Sequence, residues 1–411
     1  MPLSRPDIGD REIKYVTRVL RTGQLSLGPC VAEFEERFAA FVGTRFAIAT
    51  NSGTSALHLC VKALGIGPED EVLTSSFSFV ASTNCLLYER AVPTFADIDP
   101  ATLNLDPAAI QTTITRDCTW ERVRGRLINR RSGRVVKAIL PVHVFGLPCD
   151  MAPILHIART YNLQVLEDAC EALGAEYSGR RVGTFGGAAA FAFYPNKQMT
   201  TAEGGMVVTD NPHIAAVCRS LRNQGRDEDS AWLRHVRLGF NYRLSDLHAA
   251  LGLAQLERLD ELCSGRARVA AAYSHGLAGI PQITLPHDSP GMNRSWFVYV
   301  IQVGAALADL AAETLRDHLM AHLRARGIAC QSYFPPIHRQ PYFRQFAQAP
   351  QPSLPQTESA SARCLALPFF TSMTQDQVDE VCDAVREFLS ETTLRLERMP
   401  LRLAAADRAA D

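Results

Sequence analysis

The chain has no surplus of either charge: 42 Lys and Arg stand against 43 Asp and Glu over 411 residues, a formal net charge of −1. The bulk electrostatic signature of a nucleic-acid-binding protein is therefore missing. Long apolar runs are missing too. The longest uncharged stretch near the middle, Val182 to Asn196, is broken by glycine and falls short of the roughly 20 residues that span a bilayer, so no membrane segment is expected. Eleven cysteines are scattered singly with no CxxC pair, which argues against a disulfide framework, a zinc ribbon or any other metal site. Most of them read as small buried hydrophobes. The opening MPLSRPDIGDREIKYV carries charge throughout and lacks the apolar core and cleavage site of a secretory leader, so a cytoplasmic location is expected.

What is present is ordinary globular composition, 47% hydrophobic and 21% charged, which disfavours disordered, collagen-like and coiled-coil classes. The length suggests two or three domains. Ile13, Val16 and Leu20 share one helical face, and Phe34, Phe38 and Phe41 another, so two helices are expected before the first strand. Short apolar strands then alternate with helices: Phe46–Ala49, a helix opened by Thr54, Glu71–Thr74, Thr94–Ile98, Val135–His143, a helix around Ile154–Ala158, and Val165–Asp168. That rhythm predicts an α/β domain with a mostly parallel sheet covered on both faces. A polar loop from Gly225 to Arg234 leads to one long helix, Ser245 to Leu262, where the rhythm changes. The expected division is a large domain over 1–262, a smaller α+β domain over 263–392, and a flexible tail over 393–411. The smaller domain should hold strands at Phe297–Val303 and Leu365–Phe370 and helices at Ala308–Arg326 and Thr374–Leu389, with a proline-marked loop at Pro335–Pro341.

Three segments carry chemistry. In NSGTSALHLC (Asn51–Cys60) a strand ends, a glycine turns the chain, and Thr54 and Ser55 open a helix whose free amides and dipole favour an anion. The same residues also read as an ordinary N-cap. In VLEDACEA (Val165–Ala172) an apolar strand ends on Asp168, at the strand end where open α/β sheets place ligands. A carboxylate there can hold a proton on a cationic heterocycle, or simply cap a turn; Glu167 beside it reads as structural or exposed. In AFAFYPNKQMTTAEGG (Ala190–Gly205) an apolar aromatic strand delivers Lys197 into small and hydroxyl residues. Enclosure would strip its solvation, depress its pKa and free the amine for Schiff-base chemistry, whereas a lysine snorkelling to the surface is the plainer alternative. Together the three supply an anion cup, a ring acid and an amine, the anchors that pyridoxal phosphate requires.

GQLSLGP (Gly23–Pro29), NSGTSALH, PVHVFG (Pro141–Gly146), EDACEALGA (Glu167–Ala175), YPNKQMTTAEGG and GFNYRLSDLHAALGLAQL (Gly239–Leu256) resemble, in order and spacing, the fold-type I, pyridoxal-phosphate-dependent sugar aminotransferases of the DegT–DnrJ–StrS family. The resemblance runs from about Pro6 to Leu389. It implies that Lys197 bonds the cofactor and shuttles the proton, and that Asp168 keeps the pyridine nitrogen protonated. Gly53, Thr54 and Ser55 would hold the phosphate, Phe79 would stack on the ring, and Glu171 would lie beside the ring hydroxyl. Asn241 would reach the cofactor phosphate of a neighbouring subunit, which implies a homodimer with shared sites. Phe79 also reads as plain core and Asn241 as a turn residue.

Two departures stand out. Many relatives carry serine five residues before the lysine, where this chain has Ala192, so one phosphate contact is expected to be lost or taken by water. The segment Arg116 to Lys137 carries eight basic residues against Asp117 and Glu121; it reads as a solvated hairpin in preference to an attractor for a nucleotide diphosphate.

The resemblance implies transfer of an amino group, from glutamate by family habit, to a nucleotide-linked keto sugar. QSYFPPIHRQPYFR (Gln331–Arg344) resembles the perosamine-synthase branch, which implies amination of a 4-keto-6-deoxy sugar for polysaccharide or glycosylated-metabolite synthesis, with Tyr333 and His338 on the substrate side. Both residues also fit a proline-fixed loop with a capping histidine. Amination of a 3-keto sugar or a keto-cyclitol is the neighbouring alternative. A non-catalytic sensor on the same fold would be expected to have lost an anchor, and all three are intact; a related dehydratase branch replaces the lysine with histidine.

Overall fold

The structure, a computed structural model, describes residues 1–227, 234–287, 289–304, 312–346 and 353–407. Its centre is a sheet built from β1 (Phe46–Thr50), β2 (Asp70–Ser75), β3 (Val92–Ala96), β4 (Cys118–Glu121), β5 (Arg126–Asn129), β6 (Val135–Leu140), β7 (Gln164–Asp168), β10 (Ala188–Ala192) and β11 (Gly205–Thr209), the short pairs β8 (Glu176–Tyr177) and β9 (Arg180–Arg181) lying outside it. The strand order is β1-β11-β10-β7-β6-β2-β3, with the β4–β5 hairpin hung on β6. Neighbours from β10 to β3 are parallel, and β11 runs antiparallel to both β1 and β10. The central strands are buried along nearly their whole length, as parallel strands covered on both faces must be.

Strand alternation sorts the two faces. Ile48, Ala190 and Val207 join one core with Ala56 and Leu57 of α3 (Gly53–Ala63), whereas Ala49, Phe191 and Val208 join another with Phe34 and Phe38. α2 (Pro29–Val42), which carries those phenylalanines, follows α1 (Asp10–Thr22). The remaining helices of this part are α4 (Ala81–Tyr88), α5 (Pro107–Asp117), α6 (Met151–Thr160), α7 (Pro212–Arg222) and α8 (Asp246–Leu256). The motif pair GQLSLGP and NYRLSD meets at Asp246, whose buried carboxylate accepts from the amides of Gly28 at 2.6 Å and Cys30 at 2.9 Å and so caps the start of α2.

A second, antiparallel sheet has the order β12 (Ile283–Thr284), β14 (Tyr299–Val303), β16 (Cys364–Leu367), β15 (Gln331–Ser332), while β13 (Met292–Asn293) pairs with β8. Around it lie α9 (Leu259–Gly276), α10 (Ala312–Ala325), α11 (Pro355–Arg363) and α12 (Gln375–Asp407).

Both helices expected before β1 form. The shared stripe Ile13, Val16, Leu20 faces outward, with Ile13 58% and Leu20 55% exposed, while α1 buries Glu12 and Val19. Glu12 is accommodated because the Gly9 amide, Gln255 and Arg258 all bond its carboxylate. Other elements differ from the sequence reading. The single helix expected over 245–262 breaks at Glu257 and Arg258 and restarts as α9. α9 then crosses the expected boundary: Leu259 and Leu262 sit in the large core, Val269 and Tyr273 in the smaller one. The first residues lie against the second sheet, Phe369 donating its amide to Leu3 O at 2.9 Å. α12 continues to Asp407, beyond Leu389, and 408–411 fall outside the described residues, as do 308–311 at the start of the expected helix and 228–233 of the polar loop. Segment 116–137 is a hairpin whose arginines meet local acids: Arg116 and Arg131 reach Asp117, and Arg124 and Arg126 reach Glu121. Among the described residues no helix is long and apolar enough to cross a membrane, and no cluster of three or more His, Cys, Asp or Glu is placed to hold a metal.

Candidate active site

At the carboxyl ends of β7 and β10, beside the start of α3, lies a cavity of about 400 Å³ lined by Gly53, Thr54, Phe79, Asp168, Glu171, Lys197 and Tyr333 among others. The fold puts them there by local rules. Asp168 is the last residue of β7, and alternation sends it and Glu167 to opposite faces. Its carboxylate is 4% exposed; Oδ2 accepts from the Ser82 hydroxyl at 2.7 Å and Oδ1 from the Cys170 amide at 3.1 Å. Ser82 is in turn 2.6 Å from the hydroxyl of Ser78. These hydroxyls come from TSSFSFVASTN, a run whose richness in serine is the only sequence signal for them.

Lys197 follows β10 on a loop closed at its neck, where Phe193 donates its amide to Gly204 O and accepts from the Thr201 amide. The lysine side chain is 13% exposed, and Nζ lies 3.8 Å from Glu171 Oε1 and 3.8 Å from the centroid of the Phe297 ring. Glu171 also accepts from the Phe145 amide at 2.9 Å. Burial pushes its carboxyl above the ordinary range, against the opposing pull of Lys197 and the Phe145 amide.

At the start of α3, Ser52 caps the helix by accepting from the Ser55 amide, and its carbonyl takes the Ala56 amide. The amides of Gly53 and Thr54, both at the cavity wall, are left for an anion. Glycine is required at 53 because a Cβ there would sit 2.5 Å from Ala192 Cβ and 3.1 Å from Cys170 Sγ. Ala192, the departure noted in the sequence, lines the cavity with an apolar side chain.

Of the residues expected from sequence, Gly53, Thr54, Phe79, Asp168, Glu171, Lys197 and Tyr333 converge on this cavity. Phe79 is 61% exposed at its edge, not core. Three lie elsewhere. Ser55 is outside the lining, its hydroxyl donating to Asn51 Oδ1 at 2.7 Å, and Ser52 takes its place. His338 sits behind the wall: Nδ1 is 2.7 Å from Ser76 Oγ, and Nε2 faces Glu358 at 3.5 Å. It staples the proline loop to the end of β2, and burial lowers its pKa. Asn241 is exposed and outside its own cavity, its main chain pinned beside α3 by the Asn51 amide bonding Tyr242 O.

Around the cavity, but outside its lining, further residues hold the site. Glu167, read as structural or exposed, takes a structural place: it is fully buried, accepting from the amides of Gly183, Phe185 and Gly186 and facing His143 Nε2 at 3.2 Å. The Cys149 amide donates to His143 Nδ1, which puts the ring proton on Nε2, toward Glu167. Gly146 has a left-handed φ of +80, and a Cβ there would strike Ser295 O at 1.7 Å, so the 141–146 motif presses directly on the segment that carries Phe297. Gln198 binds Glu171 O at 2.7 Å and Ser295 O at 3.1 Å. No periodicity distinguishes such residues, because their partners are main-chain atoms far away in sequence.

An amine, a buried acid, a helix start free to bind an anion and an exposed aromatic face around one cavity form the donor set of pyridoxal phosphate, and the residues present fit it. Comparison with known proteins agrees. Residues 6–386 match the DegT/DnrJ/EryC1/StrS aminotransferase family. The spore coat polysaccharide biosynthesis protein SpsC of Bacillus subtilis is 37% identical over 400 residues, 95% of this chain and 97% of that one. GDP-perosamine synthase of Caulobacter vibrioides is 38% identical over 389 residues, 94% and 98% of the two chains. Among solved structures, S. venezuelae DesV in complex with a ketimine intermediate superimposes with a TM-score of 0.80 at 36% identity, covering 92% of this chain and 94% of that one. With the site geometry, these likenesses establish that the chain belongs to the DegT/DnrJ/EryC1/StrS aminotransferase family and that its cofactor is pyridoxal phosphate.

Proposed function

We propose that this enzyme moves an amino group from glutamate to the 4-keto group of a nucleotide-linked 4-keto-6-deoxy sugar, for polysaccharide or glycosylated-metabolite synthesis. The observation that carries the reading is the placement of Lys197, Asp168 and the start of α3 around one cavity whose remaining wall includes Tyr333, from the proline-marked loop. The similarity to GDP-perosamine synthase over 94% of the chain supports the sugar class.

Bound pyridoxal phosphate supplies an electron-withdrawing ring that delocalises charge from the carbon losing its proton. The chain's residues do the rest. Lys197 Nζ would carry the proton between the substrate carbon and the cofactor in each half of the exchange, a task suited to an amine enclosed by Phe297 and Glu171. Asp168, oriented by Ser82 and the Cys170 amide, presents a negative charge to the ring nitrogen. Gly53 and Thr54 would hold the phosphate through main-chain donors, and Phe79 would cover the ring. Tyr333, stacked on Phe145 and Phe334, forms an aromatic wall for the sugar, with burial raising its hydroxyl pKa.

We further infer a homodimer in which Asn241 completes the partner copy's site. Supporting this, Asn241 is exposed and outside its own cavity. Ile8, Ile13, Leu20, Leu25 and Leu27, before, along and after α1, are also exposed apolar side chains that a second copy would cover. Eleven free cysteines, nine of them buried, fit the reducing cytoplasm.

The test is a half-reaction screen. The enzyme is loaded with pyridoxamine phosphate, nucleotide-linked 3-keto and 4-keto sugars and a keto-cyclitol are added separately, and return of the visible cofactor band is followed. Return with a 4-keto sugar supports the reading; return with the keto-cyclitol or the 3-keto sugar alone overturns it. Lys197→Ala should lack the band with every acceptor.

A further inference from the structure

We propose that Arg266 is the positioning residue for Lys197, holding the lysine's main chain and the segment behind its ammonium in one fixed arrangement. Arg266 lies on α9 and is 2% exposed. Its Nη2 donates to Lys197 O at 2.7 Å and to Asn196 O at 3.3 Å, and its Nη1 donates to Phe297 O at 3.1 Å. Among the described residues no carboxylate pairs with it, and its Nε has no partner.

Burying a guanidinium without an acid is costly, and a Met or Leu would fill the same volume without that cost. What the guanidinium supplies is its shape. The planar fork carries donors on two sides at a fixed spacing, and here the two sides grip the two segments that meet at the amine. One carbonyl belongs to the residue that bears Nζ, and the other to the residue whose ring centroid lies 3.8 Å from Nζ. The adjoining residue, Gln198, is itself tied down by its side-chain amide, which donates to Glu171 O and Ser295 O. Residues 196–198 are therefore fastened by Arg266 and by Gln198's own bonds, and the lysine side chain departs from a rigid base. Burial lowers the guanidinium pKa only to about 10, so the group stays cationic at neutral pH and its bonds to the three carbonyls stay charge-assisted.

The inference rests on the family's lysine chemistry and is independent of which sugar is aminated. It is tested by ligand binding to cofactor-free protein. Pyridoxal phosphate is retained through its bond to Lys197, whereas pyridoxamine phosphate occupies the same pocket without that bond. Arg266→Lys keeps the charge but not the fork. It should weaken pyridoxal phosphate binding about tenfold, in keeping with the sensitivity of reacting groups to small misplacements, and leave pyridoxamine phosphate affinity within about twofold. Arg266→Gln, neutral and able to reach only one segment, is measured in parallel so that the result does not hang on one variant folding. Equal loss for the two ligands, or no loss for either, would overturn the proposal.

Discussion

The two ends of the central sheet treat charge in opposite ways. At the amino end of β6, the β4–β5 hairpin gathers arginines and answers them locally, with Arg131 58% and Arg124 66% exposed even while paired to Asp117 and Glu121. At the carboxyl ends, Lys197 is 13% and Glu171 8% exposed, and their companions are amides, hydroxyls and aromatic rings. The basic cluster is the denser charge in sequence, yet water and neighbouring acids screen it, and it lies at the far end of the strands from the cavity. A charge taken out of water has an energy that depends on every nearby atom, and at the cavity that makes Lys197 and Glu171 tunable for chemistry.

The largest test of that contrast is at the cavity floor. Asp168→Asn keeps the shape but removes the charge, and kcat for transamination should fall roughly 10³-fold, while thermal unfolding changes little. Next comes Glu167, one residue away on the opposite face. Glu167→Gln leaves a buried amide nitrogen facing donors, and should cost about 2–3 kcal/mol of stability by chemical denaturation; an unchanged denaturation midpoint would refute its clamping role.

Glu171 gives a smaller effect with a definite sign. Burial raises its carboxyl above the ordinary 4.5 in the folded chain. Between that value and the raised one, the folded state holds a proton that the unfolded state has released, so stability falls as pH rises through this window. Glu171→Gln, measured in cofactor-free protein, should flatten that fall. The smallest effect is expected at the hairpin: Arg124→Ala should change stability by less than about 0.5 kcal/mol and leave KM for the sugar substrate unchanged. A large rise in KM would return the basic segment to a role in substrate capture.

The reading of β1, α3, β7 and the lysine segment from sequence succeeded because each depends on neighbours in the chain: alternation, an N-cap, an apolar strand ending on a polar residue. α1 forms where periodicity expects it, yet periodicity leaves its packing open. Periodicity says that Ile13, Val16 and Leu20 share a face, but not what that face meets, and in the single chain the buried side is the one whose Glu12 finds Gly9, Gln255 and Arg258. His338 was placed on the substrate side by its motif, whereas its ring turns back to Ser76 and Glu358. Serine richness was the one trace of the hydroxyls around Asp168, and the bonds that hold Lys197's main chain left no pattern.

The sequence by itself therefore determined the fold class and pointed to Lys197, Asp168 and the start of α3, which the fold gathers around one cavity, since those signals rest on local order along the chain. Only the tertiary structure decided which serine lines the cup, which face of α1 is covered, and that Arg266, about 70 residues from Lys197 in the chain, holds that lysine's carbonyl. Contacts between distant segments depend on how the two sheets and α9 pack, and packing is a property of the whole chain.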